Sequence, residues 1–487
     1  MQALAEQLFF DGNRHLFAHE YSRAEACFRE AVAIAPQLGA AHANLGWLLA
    51  RQAASEEADA CYRRALALAA SDVQIHLNYG AFLAGLNRFR EAEAIYVRAV
   101  GLEPGSAFVW SNLGALFAQM GRFDDAEGCC RMSMRLDPSY AKARINLSYL
   151  CLRQGRFEEG WEHFEWRTWQ CALALRVDSP RWTGQPLEGK TLLIGHEGGF
   201  GDMIQFCRYV GVLKRRGARR VSLLCPPPLE RLFASLEGVD EVLLSDEAIP
   251  RSGWDYWTSL MSGPYHCKTR VDSIPAVLPY LRAEPSAVER WMRALPAGGV
   301  RVGLVWKGNP KFENDRARSI PSLDVLAPLG GVGGATFVSL QTDRVDNDSS
   351  SAREALRLIE PACGVESFAD TAAIVASLDL VIAVDTAVAH LAGAMGKPCW
   401  ILLPDQMTDW RWLSERSDSP WYPGVARLFR QQVRGDWNPV VAEVGAALGS
   451  FVRERAAQAD RGAPDSRKSQ LRCARARMPS TKQRSSI

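Results

Sequence analysis

Along the first third of the chain, small and apolar positions recur at a fixed step of 34 residues. Gly12, Gly46, Gly80 and Gly114 keep that step, as do Ala24, Ala58, Ala92 and Ala126. Phe28, Tyr62 and Tyr96 follow it, then Ala31, Ala65 and Ala99, while Pro36, Pro104 and Pro138 close three of the units. Ser148, Gly160 and Phe164 carry the period into a fifth. Each unit reads as two helices joined by a turn. Small residues let the helices approach, an aromatic side chain fills the gap, and proline ends the second helix because it cannot continue the hydrogen-bond ladder. One such pair cannot bury its own apolar face, so the units must stack into a continuous core.

From about residue 190 the pattern changes to short apolar runs alternating with amphipathic helices. The runs are TLLIG (191–195), VSLLC (221–225), EVLLS (241–245), VRVGLVW (300–306), TFVSL (336–340), LDLVIAV (378–384) and CWILL (399–403). A helix is predicted over 202–216, with Met203, Phe206, Cys207, Val210 and Leu213 on its apolar face and Gly217 as its cap. Alternation of this kind predicts parallel sheets covered by helices on both faces. The expected organisation is a helical solenoid over 5–172, a Pro-, Gly- and Trp-containing linker over 173–187, two Rossmann-like halves at 188–297 and 298–455, and a tail at 457–487. The two halves would meet at Leu295–Gly299 and face one another across a cleft, with ligands at the carboxyl ends of the strands.

Composition adds exclusions. Among 487 residues, 47% are hydrophobic and 23% charged, which is ordinary for a folded protein and unlike a collagen or a disordered chain. Lys and Arg number 57 against 55 Asp and Glu, so no general positive field points to nucleic acid as a partner. There is no uncharged apolar run of transmembrane length, and Glu6 and Asp11 interrupt the start where a signal peptide would be apolar. A cytoplasmic location is expected. The 12 cysteines are scattered without a C-x-x-C, which suits buried reduced thiols, and no metal-ligand cluster is visible. Charge balance is nevertheless an average: residues 461–487 hold eight Lys or Arg against Asp465 alone, a surplus of +7 where the whole chain has +2. That tail is read as a solvated segment, with contact to an anionic membrane surface or to nucleic acid as the other reading.

Three clusters carry candidate chemistry, each after a strand. Gly184–Thr191 spells the phosphate-loop pattern G-x-x-x-x-G-K-T, but it runs into a strand where that loop must open a helix, so no phosphate is expected there. The first genuine cluster is His196-Glu197-Gly198-Gly199-Phe200-Gly201-Asp202. Gly199 and Gly201 permit a tight turn and close approach of a substrate to the backbone, whereas Ile204 stands where a dinucleotide fingerprint needs its last glycine. Asp202 reads either as a first-turn acid favoured by the helix dipole or as a carboxylate placed to take a proton. The second cluster runs from Trp306-Lys307-Gly308-Asn309-Pro310 through Arg316 to Arg318-Ser319-Ile320-Pro321. Its cations suit phosphate charge, with Lys311 read as solvated. The third is Asp385-Thr386-Ala387-Val388-Ala389-His390, a strand end running into a helix whose first N–H groups suit a diphosphate.

The repeat pattern resembles the tetratricopeptide repeat, most recognisably at Asn44-Leu45-Gly46, Asn78-Tyr79-Gly80 and Asn112-Leu113-Gly114. G-F-G-D after the first strand, W-x-G-N-P with R-S-I-P, and D-T-A-x-x-H resemble glycosyltransferase family 9, the ADP-heptose:lipopolysaccharide heptosyltransferase-like group. Asp409-Trp410-Arg411-Trp412 and Asp418-Ser419-Pro420-Trp421-Tyr422-Pro423 look like the tail of bacterial proteins that fuse such repeats to such a domain. The resemblance implies a GT-B fold and metal-independent, inverting transfer from a nucleotide sugar, the donor being a substrate and no cofactor being needed. It makes Asp202 the general base and Arg318 the family's basic residue. It places Asp385, Thr386, Ala387 and His390 on donor sugar and phosphates, with Gly199, Gly201, Asn309 and Arg316 completing the binding set. Arg318 replaces the lysine usual in heptosyltransferases and Ala387 the glycine of D-[ST]-G, so donor identity is not inherited. The expected function is sugar transfer to a protein or glycan acceptor, positioned by the repeat groove. The alternative is a non-catalytic interaction protein with a degenerate nucleotide-sugar site, the repeats serving as scaffold or dimerisation surface.

Overall fold

The computed structural model describes residues 1–167, 171–296, 298–312, 314–341, 349–361, 365–405 and 407–462; most of the basic tail lies outside them. Two compact units emerge. One holds Met1–Leu175 together with two later segments, Ser262–Ile274 and Asp409–Glu415; the other holds Arg176–Met261, Pro275–Thr408 and the chain from Arg416 onward.

The helical unit is built from the pairs α1 (Gln2–Phe17) and α2 (Tyr21–Ile34), α3 (Gly39–Arg51) and α4 (Ser55–Leu68), α5 (Val73–Gly85) and α6 (Phe89–Leu102), α7 (Ala107–Gln119) and α8 (Phe123–Leu136), and α9 (Ala141–Arg153) and α10 (Phe157–Phe164). The period of 34 has a direct packing cause. Ala24, Ala58, Ala92 and Ala126 are fully buried at the helix crossings, and Phe28, Tyr62 and Tyr96 fill the space beside them. At Gly80 a Cβ would stand 2.8 Å from the Tyr96 ring, closer than real atoms approach. Gly80→Ala is therefore expected to cost about 1–3 kcal/mol through overpacking. Gly128, in α8 with nothing within 4 Å of its missing Cβ, is the control: alanine there should stabilise by about 0.5–1 kcal/mol. Urea unfolding of the two variants followed by helical circular dichroism checks the pair, and equal costs would contradict the packing account.

A second periodic feature joins successive pairs. Arg88, Arg122 and Arg156 stand 34 apart and reach back to Asp59 (2.8 Å), Glu93 (2.7 Å) and Glu127 (2.6 Å) of the preceding pair, also 34 apart. Half-exposed pairs of this kind contribute about 0.2–1 kcal/mol each, so their main effect is to fix the register of the stack.

A solenoid end needs a cover for its last apolar face. Here the two later segments supply it. Trp161 is buried and its indole N–H donates to the Thr269 carbonyl (2.9 Å), while the Trp410 ring meets Trp161 and Phe164 edge to face at 5.3 and 6.1 Å. Arg153 Nε donates to Ser414 Oγ at 3.3 Å. Trp47 and Trp110 are half-buried, but Tyr149 keeps 44% of its surface exposed.

The other unit carries two wholly parallel sheets. β1 (Thr191–Gly195), β2 (Arg220–Cys225), β3 (Glu241–Leu244) and β4 (Tyr256–Ser259) lie in the order β3-β2-β1-β4. β5 (Val300–Val305), β6 (Ala335–Ser339), β7 (Leu380–Val384), β8 (Cys399–Leu403) and β9 (Ala426–Arg430) lie in the order β6-β5-β7-β8-β9. The seven expected strands are present. β4 and β9 were not expected: each is a short edge strand, and neither reads as an apolar run. The helix expected over 202–216 is instead two, Phe200–Phe206 and Arg208–Arg215, separated at Cys207. Gly189 turns the chain at φ +69° and Thr191 opens β1, so the G-x-x-x-x-G-K-T segment precedes a strand as read. The chain also crosses to the second sheet's helices before residues 295–299, because the Pro285–Ala294 helix packs on the Phe368–Ala376 helix. The nine cysteines with described side chains are unbridged, and burial pushes Cys129, Cys130 and Cys151 up to about 11, 12 and 12. No described helix is long and apolar enough to cross a membrane.

Candidate functional site

In a parallel open sheet the crevice forms where connections leave to opposite sides of neighbouring strands. The orders above put one such switch point between β1 and β4 and another between β5 and β7. All three candidate clusters follow a strand at a switch point: 196–202 after β1, 306–321 after β5 and 385–390 after β7.

The structure brings these loops together. A Cβ on Gly201 would stand 3.0 Å from His390 Cδ2 and 3.5 Å from Ala387 Cα, so the start of the Phe200–Phe206 helix abuts the start of the Ala387–Ala394 helix with no room for a side chain between them. A Cβ on Gly199 would lie 3.5 Å from the Phe312 ring, and Phe200 meets Phe368 at 5.1 Å. Two positive helix ends thus converge with the β5 loop, an arrangement suited to a multiply charged anion.

Asp202 sits at the third position of its helix, where its Oδ2 accepts the Gly199 N–H at 2.7 Å. The first-turn reading is therefore realised. Gly198 is required by the same contact: its φ is +77°, and a Cβ there would fall 2.4 Å from that carboxylate oxygen. Glu197 is buried and accepts from the Ser259 hydroxyl, which fastens the loop to the end of β4.

In the β7 loop Thr386 is the helix N-cap, yet its hydroxyl donates to Val384 O (3.2 Å) instead of capping the helix. Asp385 is buried at the strand end, and Ala387 begins the helix. His390 is buried, with Nδ1 2.8 Å from the Tyr422 hydroxyl and Nε2 3.8 Å from Asp385 Oδ1. Gly393 admits the Tyr422 ring, since a Cβ there would stand 2.5 Å from it. Burial pushes Tyr280 up to about 12 and Tyr422 well above its ordinary value, so both phenols stay protonated.

The β5 loop divides its expected cations. Lys307 is committed to the Pro321 carbonyl, to which its Nζ donates at 2.7 Å. Arg318 is half-buried, donates to Asp315 Oδ1 (3.2 Å) and lies over the Phe312 ring. Gly308 makes room for that pair, because a Cβ would stand 2.7 Å from Arg318 Nε. Arg316 and Asn309 are exposed, and Asn309 Oδ1 accepts the Lys311 N–H at 3.0 Å in a turn that shapes the loop.

The tetratricopeptide-repeat family model matches residues 40–72. The helical unit carries tetratricopeptide repeats. Protein FlbA of Caulobacter vibrioides is 30% identical over 322 residues, which are 60% of this chain and 52% of FlbA, so the chain spans about half the length of the curated relative it matches. Among solved structures, Pseudomonas aeruginosa pilF is 24% identical, with 34% of this chain and 75% of that one covered at a TM-score of 0.32. YrrB, a repeat protein with an unusual peptide-binding site, is 20% identical, with 33% and 82% covered at 0.28.

Sequence reasoning missed several residues that build the site. Tyr422 lay inside a motif but carried no role, and Arg208 and Tyr280 gave no signal in spacing or pattern. Asp370 is another. Burial of its carboxylate works to raise its pKa, but hydrogen bonds from Ser367 and the Glu366 N–H and the charge of Arg231 (3.4 Å) outweigh that and hold it below the ordinary value. Arg290 stands 3.5 Å away, so this one carboxylate ties two surface arginines to the Phe368–Ala376 helix. Among the described residues no three His, Cys, Asp or Glu side chains form a metal-binding group.

Proposed function

We propose that the α/β unit is a glycosyltransferase of GT-B type that moves a sugar from a nucleotide-sugar donor to a hydroxyl of a protein or glycan acceptor, without a metal and with inversion. The reading rests on one observation: a carboxylate, Asp202, and the start of the Ala387–Ala394 helix lie on abutting elements at the switch points of two parallel sheets. Asp202 takes the acceptor hydroxyl proton as its oxygen attacks the sugar's anomeric carbon. The bond from that carbon to the phosphate oxygen breaks, and the nucleoside diphosphate leaves with the bonding pair. Its charge is met by the helix N–H groups, by His390 and by Arg318.

The tetratricopeptide repeats would position the acceptor or a protein partner. Phe10, Phe17, Phe108 and Tyr149, all on first helices of their pairs, are 64%, 86%, 42% and 44% exposed, and such arrays present extended surfaces of this kind to peptides.

A second reading is favoured by the Asp202 hydrogen bond to Gly199, which gives the carboxylate a purely structural employment. In that case the domain binds a nucleotide sugar without turning it over. A thermal-shift panel of ADP-, UDP-, GDP- and dTDP-sugars is the first test. One nucleotide class should raise the melting temperature, and a flat response to all four would contradict both readings.

A further inference from the structure

The last carbonyls of a helix need donors from elsewhere. In the last turn of the Phe200–Phe206 helix, which ends at the Cys207 break, the Ile204 carbonyl accepts from the Tyr280 hydroxyl (3.1 Å) and the Gln205 carbonyl from Arg208 Nε (2.8 Å). Arg208 is buried, and its other nitrogens donate onward, to the carbonyls of Trp421 (2.8 Å) and Pro275 (3.2 Å) and to the Tyr280 hydroxyl (2.8 Å). The guanidinium carbon lies 4.6, 5.0 and 5.4 Å from the centres of the Tyr280, Tyr422 and Trp421 rings. Ring faces and oxygens thus replace the water that a buried charge gives up. Next to Trp421 comes Tyr422, whose hydroxyl is 2.8 Å from His390 Nδ1 and whose ring fills the space left by Gly393. The Phe200–Phe206 and Ala387–Ala394 helices are therefore joined twice. At their starts Gly201 abuts Ala387 and His390. Toward their ends Arg208 links the first helix to Trp421, and Tyr422 lies against the second. One contact would let the helices pivot, whereas two fix both their separation and their angle.

We propose that Arg208 is a positioning residue for sugar transfer: it clamps the helix carrying Asp202 to the helix carrying His390 and so sets the gap in which acceptor and donor meet. The catalytic half of the proposal rests on the transferase reading, whereas the clamp half rests on the contacts alone. A guanidinium suits the task because its planar fork serves Gln205, Pro275, Tyr280 and Trp421 at once while lying against three rings. A lysine ammonium carries three donors on a flexible stem and has no plane to stack. In the transferase reading the donor phosphates sit on the start of the Ala387–Ala394 helix, on the other side of the clamp from Asp202. Loosening the clamp then moves the base relative to the donor and leaves donor binding in place.

Two measurements separate the halves. The clamp is read without substrate, by amide hydrogen exchange in the full chain. Arg208→Lys should speed exchange in Phe200–Phe206 and Ala387–Ala394 together and leave β1 and β7 as protected as in the wild type. Faster exchange throughout the α/β unit, or no change in one or both helices, overturns the clamp. Tyr280→Phe keeps the ring but removes one acceptor of the guanidinium and the donor to Ile204. It should act in the same direction to a smaller extent, and it decides the matter if the lysine variant does not fold. Kinetics reads the catalytic half, with active sites counted by calorimetric donor binding. Arg208→Lys should lower kcat about 10- to 10²-fold, the effect of a displacement of about 1 Å, and leave the donor KM unchanged. In the Asp202→Asn background the same change should cost less than about twofold, because the base it misplaces is already gone. Full additivity of the two losses, or a loss confined to KM, overturns the positioning role. A wild type that transfers no sugar from ADP-, UDP-, GDP- or dTDP-linked donors overturns the transferase reading and this half with it, while the exchange result stands separately.

Discussion

Replacing Asp202 by asparagine is expected to lower sugar transfer about 10²- to 10⁴-fold, the usual contribution of a positioned general base, while the fold and donor binding survive. The choice of substitution matters because the carboxylate has a structural employment beside the proposed catalytic one. Its Oδ2 accepts the Gly199 N–H at 2.7 Å, and an asparagine carbonyl oxygen can take over that bond, although it cannot take a proton at neutral pH. Alanine loses both, with about 0.5–2 kcal/mol of helix-end stability as well. Comparing turnover and unfolding in the two variants therefore separates catalysis from capping. Asn at full activity, with Ala impaired only in proportion to its lost stability, would leave Asp202 a capping residue.

The second large effect belongs to Trp161. Its indole is 2% exposed, meets Trp410 at 5.3 Å and is bonded to the Thr269 carbonyl, so one side chain holds both later segments against the last helical pair. Trp161→Ala should cost about 3–5 kcal/mol in unfolding of the helical unit, through a cavity and lost contacts. Phenylalanine, which keeps a ring but loses the N–H that donates to the Thr269 carbonyl, should cost about 1–3 kcal/mol. Urea unfolding gives the values, and cleavage by protease within 262–274 should accelerate in the same order. A cost for Trp161→Ala within about 0.5 kcal/mol of wild type, the range of featureless surface changes, would show that the segments are held by other contacts.

How far the sequence could be read follows from how local each feature is. The step of 34 was legible because the same crossing is built again in every pair, so glycine, alanine and aromatic positions repeat together. The Arg88, Arg122 and Arg156 series obeys the same step and is equally legible. Strands such as β7 and β8 are buried along their whole length and so appear as unbroken apolar runs. β4 and β9, at sheet edges, lack that signature. At the site, Gly199, Gly201, Asp202 and Asp385 to His390 sit at strand ends and are visible as local motifs. Arg208, Tyr280 and Tyr422 come from segments far apart in the chain, with Arg208 lying against both rings, and no spacing rule announces the arrangement. The Ser262–Ile274 and Asp409–Glu415 segments fold with the repeats for the same non-local reason: their aromatic and polar side chains find partners on α9 and α10.

The account stands on the claim that a nucleoside diphosphate binds beside the abutting starts of the Phe200–Phe206 and Ala387–Ala394 helices. Hydrogen–deuterium exchange of the full chain, with and without saturating ADP, UDP, GDP or dTDP, tests it most directly. The account predicts slowed exchange for one of these ligands at the amides of Gly199–Phe206 and Ala387–His390. Slowing confined to the repeat helices, or absent with all four ligands, would contradict it.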